Sequence, residues 1–282
     1  HRELGKHNIA RTEIAQGKRL LEEAIRDYPQ TKAKVQADYL LANLSLEFAK
    51  DTEDADQSRK LYMEAVNRFS TIVSVWPDST YAPKSQYKKA QALEKMGDID
   101  RACEEYVKLS YRYPDHELIA DTIASLGQYF HTKGLQMRKQ ASEEEDPIEG
   151  EKIVIRSRDM FKTAAEVFSR LAPRFPDHKL AELTLVRSAQ CYMRADLYED
   201  AVDTFELVVD NKDADKDLRA EAMYWCADSH MRKKKPDMVA AYRVFKPLTW
   251  EYPESKWAKY ARGRLASDKG LATIDAEGGD AP

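Results

Sequence analysis

Small and aromatic residues recur along the chain in a fixed register to proline. Eight residues before Pro77, Pro114, Pro176 and Pro253 stand Phe69, Tyr106, Phe168 and Phe245, and twelve before stand Ala65, Ala102, Ala164 and Ala241. Two residues four apart share one face of a helix. Each of these prolines is therefore predicted to follow a helix with a small-then-large stripe. Thirteen residues after the prolines, counting from Pro29, a small residue returns: Ala42, Ala90, Gly127, Ala189 and Ala266. A further copy lacks its proline, with Ala189 followed by Ala201, Phe205 and then DNKDAD in place of the turn. Each unit reads as two helices. The first carries the small residue and the second carries the stripe, so that the pair can approach closely.

The prolines sit in a repeated turn: DYPQ at 27–30, VWPD at 75–78, RYPD at 112–115, RFPD at 174–177 and EYPE at 251–254. Proline cannot continue a helix and restricts the residue before it, so it ends the second helix of each unit. The preceding aromatic is expected to pack over that helix end. The following Asp78 or Ser79, Asp115, Asp177 and Ser255 are expected to cap the next helix. The predicted array spans 9–268. It comprises an orphan second-type helix at 9–28, pairs at 31–76, 80–113, 116–175, 178–210 and 217–252, a closing helix at 255–268, and a polar tail at 269–282. The orphan helix has Gly17 and Leu21 at the stripe positions, and its own first helix is expected ahead of His1.

The interval from small residue to alanine is 12 in the regular copies, 14 from Ala227 to Ala241, 23 from Ala42 to Ala65 and 37 from Gly127 to Ala164. The long inserts thus fall between the two helices of a pair. The larger, 135–159, carries ASEEEDPIEGE at 141–151. Four acids in a row with Pro and Gly read as a solvated loop, with flanks that extend both helices.

This order of small, A-x3-aromatic and Pro positions resembles the tetratricopeptide (TPR) repeat. The cleanest copy is 81–115, with Ala90, Gly97, Ala102, Tyr106 and Pro114 in register, and the resemblance covers roughly 10–268. The connection between units is about three residues longer than in the common 34-residue repeat. With PDSTYAP at 77–83 it is similar to the long-turn TPR proteins of the bacterial envelope. Those include the lipoprotein of the outer-membrane β-barrel assembly machine and the periplasmic protein associated with Tol–Pal. The resemblance implies an all-α, right-handed superhelical solenoid of tandem antiparallel helix pairs. It also implies a periplasmic or envelope location, with the cytoplasm as the alternative.

Composition removes several classes. The 282 residues are 43% hydrophobic and 33% charged, with a net charge of −4 and both signs interspersed. General nucleic-acid binding needs a basic face that this balance does not supply. No apolar run approaches a membrane span, and there is no Gly-rich phosphate loop. Cys103, Cys191 and Cys226 form no C-x-x-C pair and are read as buried free thiols. The histidines are His1, His7, His116, His131, His178 and His230. None is read as a metal ligand or catalytic group, and His116 and His178 belong to the turns. No cofactor is expected. The chain opens on His1 rather than Met, and is read as processed or excised from something longer.

In TPR arrays the first helices line an extended concave face. Just after each small position stand Asn43, Gln91, Gln128, Gln190 and Asp228, and four of these five are amides. An amide both donates and accepts, so such a row can hold a partner's backbone. Three residues before the small position stand Tyr39, Tyr87 and Tyr224, read as interface anchors. The expectation is a non-catalytic scaffold or adaptor that binds one or more proteins, through an extended segment, in a larger bacterial envelope assembly. Two alternatives remain: a structural subunit that uses its edges and ends, or a TPR region of a larger enzyme.

Overall fold

The computed structural model describes the backbone of residues 2–29 and 31–276 and the side chains of 15–29 and 31–276. All regular structure among them is helical. The chain divides into two compact units, the first ending at Thr122 and the second beginning at Ile123.

The first unit contains α1 (Arg2–Asp27), α2 (Lys32–Asp51), α3 (Ala55–Val75), α4 (Ala82–Lys95) and α5 (Ile99–Arg112). Helix α1 extends N-terminally past the expected start at 9. Ala42, Ala65 and Phe69 are buried together with Leu46, Ile72, Leu93 and Ala102. The short connections force consecutive helices antiparallel.

The second unit contains most of α6 (Ile119–Glu143), then α7 (Pro147–Phe168), α8 (Leu171–Arg174), α9 (Ala181–Arg194) and α10 (Tyr198–Val209). It continues through α11 (Lys216–Arg232), α12 (Met238–Glu251), α13 (Lys256–Ser267) and α14 (Lys269–Ala276). Ala164, Ala201 and Ala241 are fully buried, as are Ala189 and Ala227. Ala266 is exposed, because only the short α14 follows it.

The repeated turns share one geometry. Trp76, Tyr113, Phe175 and Tyr252 each end a helix with φ between −128 and −135° and ψ between 54 and 66°. Each donates its N–H to the carbonyl four residues back, and each carbonyl accepts from the residue three ahead. Proline after the aromatic imposes this exit, since the helical conformation before proline is crowded. The capping expectation is only partly met. Ser255 Oγ accepts from Ala258 N at 3.1 Å. The helices after Asp78, Asp115 and Asp177 instead start at Ala82, Ile119 and Ala181, too far on for those carboxylates to be N-caps. His116 Nδ1 and His178 Nδ1 accept from the N–H of Leu118 and Leu180 at 3.2 and 3.3 Å.

Two segments expected to be irregular are helical. Of the acidic stretch 141–151 expected as a loop, α6 and α7 leave only 144–146 as a turn, and they also take up the rest of the insert 135–159. Asp146 caps α7 by accepting from Ile148 N at 2.9 Å, and Pro147 suits the first helical turn. The predicted polar tail forms α14 through Ala276. Leu271 is buried against α12 and Ile274 packs beside it, while Tyr242 Oη donates to Asp275 Oδ1 at 2.8 Å. The apolar pair, three apart, gives this polar-looking stretch one face to bury. Residues 277–282 of that tail lie outside the described residues.

Candidate partner-binding cleft

The tyrosines expected as anchors pack inside the repeat. Tyr39 meets Phe69 with ring centroids 5.9 Å apart, Tyr87 meets Tyr106 at 5.6 Å, and Tyr224 meets Phe245 at 5.6 Å. The interplanar angles are 60, 58 and 59°. The same contact recurs because the residue three before the small position turns toward the second helix of its own pair. There it covers the aromatic of the stripe. All three rings are half-buried.

The amide row divides. Asn43 Nδ2 donates to its own helix, to Tyr39 O at 2.8 Å. Gln91 is half-buried. Gln128 is exposed and its Nε2 donates to Thr132 Oγ1 at 3.0 Å. Asp228, expected on the binding face, is 1% exposed. Its carboxylate lies between Arg264 and Arg232, the latter with Nε 2.7 Å from Oδ2. A buried carboxylate requires such partners, so Asp228 ties α11 to α13 and is not available to a ligand.

Gln190 opens onto a cleft of about 680 Å³ in the second unit. First helices α9, α11 and α13 supply most of its walls, with α6 and Phe161 of α7. Gln190 bridges two of these helices. Its Oε1 accepts from Arg187 Nη1 at 3.0 Å, and its Nε2 donates to Glu221 Oε1 at 2.6 Å. The apolar part of the wall comprises Phe161, Trp225, Trp257, Met193 and Leu135. Trp225 and Trp257 meet edge-on at 5.7 Å, and Trp225 Nε1 is buried without a hydrogen-bond partner.

The charged groups are unevenly paired. Arg158 Nε is 2.7 Å from Asp196 Oδ2, and Arg232 is engaged by Asp228. Arg138 donates to Ser157 Oγ at 2.9 Å and to Arg194 O at 3.0 Å. The guanidinium carbons of Arg138 and Arg194 lie 6.0 and 5.8 Å from the centre of the Phe161 ring. Among the described residues, neither Arg187 nor Arg194 has an ion-pair partner. Burial holds the His131 imidazole below its ordinary value, and the positive charges of Arg194 and Arg187 push it the same way. The cleft is therefore aromatic-walled and cationic.

Of the expected residues, Gln190 alone lines this cleft. Arg187, Arg194, Trp225 and Trp257 were not anticipated. A signal for two of them was present: Arg187 and Arg194 stand three before and four after Gln190, on one helix face.

Residues 4–111, less than half of the chain, match the model of a family described as outer membrane lipoprotein, YfiO. The comparison with curated proteins gave no match. Among solved structures, a thermophilic TPR protein of Thermus thermophilus is 16% identical. The alignment covers 82% of this chain and 99% of that one, with a TM-score of 0.35. Together with the repeat geometry above, the match over residues 4–111 supports a resemblance to TPR-type proteins of the bacterial envelope. No described helix is long and apolar enough to cross a membrane.

Proposed function

We propose that this chain is a non-catalytic adaptor in a bacterial envelope assembly, and that its second unit holds an extended acidic segment of a partner protein. The observation that carries the reading is the cleft, where Arg187 and Arg194, without carboxylate partners among the described residues, stand beside Trp225 and Trp257. Guanidinium groups favour carboxylates through bidentate hydrogen bonds. The tryptophan edges give apolar area for an anchoring side chain. The family match of residues 4–111 supports the envelope setting.

The test is recovery of partners by native capture from the source cell, with the intact protein and with Arg187→Ala/Arg194→Ala. The double variant should keep its melting temperature, since both residues are exposed, and lose one partner that the intact protein retains. That partner should also dissociate as salt is raised. Full retention by the folded double variant would refute the cleft as the binding face.

A second reading rests on α1. Leu20 and Tyr28 on or just after this helix are 58 and 59% exposed. An assembly subunit that docks by this edge would keep its partner in the double variant and lose it on Leu20→Ser/Tyr28→Ser.

A further inference from the structure

A cluster of ligand types lies away from the cleft, between α10 and α11. Glu206, Cys226 and His230 each place one donor atom within 4.8 Å of the other two. Cys226 and His230 are four residues apart on α11, and so share a face one turn apart. Glu206 comes from the neighbouring α10. Cys226 is fully buried and His230 is 7% exposed, while Glu206 reaches the surface.

The histidine lacks the partners that a buried imidazole ordinarily has. Its Nδ1 is buried with no hydrogen-bond partner. Its Nε2 is 3.9 Å from Glu206 Oε1, too long for a hydrogen bond. The same separation suits two ligands of one ion, because nitrogen and oxygen ligands of tetrahedral zinc sit about 3.4 Å apart. The local field favours a cation as well. Asp203 on α10 and Asp210 at the C-terminal end of that helix flank Glu206, and Lys233, just past the end of α11, is the opposing charge.

We propose that Glu206, Cys226 and His230 form a zinc site that fastens α10 to α11. A thiolate, an imidazole and a carboxylate match the mixed ligand preference of zinc and not the all-oxygen preference of calcium or magnesium. Water completes the tetrahedron on the side where Glu206 meets solvent. Binding replaces the thiol proton of Cys226 by the metal, and that proton leaves to the buffer. Because the ligands come from two helices, zinc stabilises the folded chain and not the unfolded one.

The experiment is a titration of the full, metal-stripped chain with cobalt(II), followed by zinc. One equivalent of cobalt should give a thiolate-to-metal charge-transfer band in the near ultraviolet and visible bands of a tetrahedral ion. Zinc should abolish both and raise the melting temperature. Cys226→Ser should lose the charge-transfer band, and Cys191→Ser should keep it. His230→Gln should weaken zinc binding about tenfold or more, with a circular dichroism spectrum like that of the parent. The proposal fails if no charge-transfer band appears with excess cobalt, if the band survives in Cys226→Ser, or if zinc shifts the melting temperature of parent and Cys226→Ser alike.

Discussion

Gly127 on α6 lies so close to Phe168 on α7 that a Cβ at position 127 would sit 2.5 Å from two atoms of the ring. Seven residues on, a Cβ at Gly134 would meet the ring of Phe161 at 2.9 Å. The two glycines and two phenylalanines share a seven-residue spacing, so the same close approach holds over two turns. Gly127→Ala should therefore destabilise the protein by about 1–3 kcal/mol through overpacking, although alanine is the better helix former by about 1 kcal/mol. Chemical denaturation checks it. A midpoint at or above that of the parent would mean that α6 and α7 can separate without cost.

Asp196 occupies the left-handed region at φ 61°, where the equivalent turn of the first unit has Gly97 at φ 78°. Both residues stand seven after their small position. Both turns close with the N–H of the next residue donating to a carbonyl five back, Asp98 to Leu93 and Leu197 to Tyr192. Asp tolerates this conformation better than most side chains. Asp196→Ala should lose about 1 kcal/mol, from backbone strain and the exposed pair with Arg158. Asp196→Gly should stay within about 0.5 kcal/mol of the parent, because it loses the pair and relieves the strain. Equal losses in both variants, read by thermal melting, would show that the ion pair dominates and the backbone does not.

Glu105 is a buried carboxylate in the first unit, with Lys108 Nζ at 2.8 Å, Lys89 Nζ at 3.1 Å and Gln86 donating to it. Burial pushes its carboxyl up, but Lys108 and Lys89 together outweigh that and hold it below the ordinary value. Its contribution to stability is then present above the ordinary glutamate range, near pH 4.3, and is lost as pH falls through the lower folded value. Glu105→Gln should be about 1–3 kcal/mol less stable than the parent at pH 7. The gap should narrow on acidification below pH of about 4. A gap independent of pH between about 7 and 3 would contradict the charge-based account.

The thiols differ in burial. Cys191 and Cys226 are buried, and burial pushes both thiols up to about 12, while Cys103 is half-buried. Cys103 thus departs from the expectation of three buried thiols. A thiol reagent at pH 8 should label Cys103 first and the other two only on unfolding. Mass spectrometry of labelled peptides reads the order, and early labelling of Cys191 would place α9 differently.

The helix pairs were legible in the chain because proline, alanine and aromatic positions act locally, through helix termination and close approach. Ala65, Ala102 and Phe69 are buried where that register puts them. The binding face was less legible. Tyr39, Tyr87 and Tyr224 share a periodic position, but periodicity alone does not say which neighbour a half-buried ring faces. Asp228 looked exposed because its partner Arg264 lies 36 residues away and meets it only in the fold. The zinc cluster shows the same limit: Cys226 and His230 are a visible pair four apart, whereas Glu206 joins them only when α10 packs on α11.

The central claim is that partner protein occupies the cleft around Gln190. A photo-crosslinking amino acid placed at position 190 tests it most directly, with one at exposed Leu207 on α10 as the comparison. After irradiation in the source cell, the attachment sites are mapped by mass spectrometry. The account predicts that position 190 crosslinks to an acidic stretch of one partner, that position 207 does not, and that Arg187→Ala/Arg194→Ala removes the crosslink. Crosslinking of that partner from position 207 but not from 190 would contradict it.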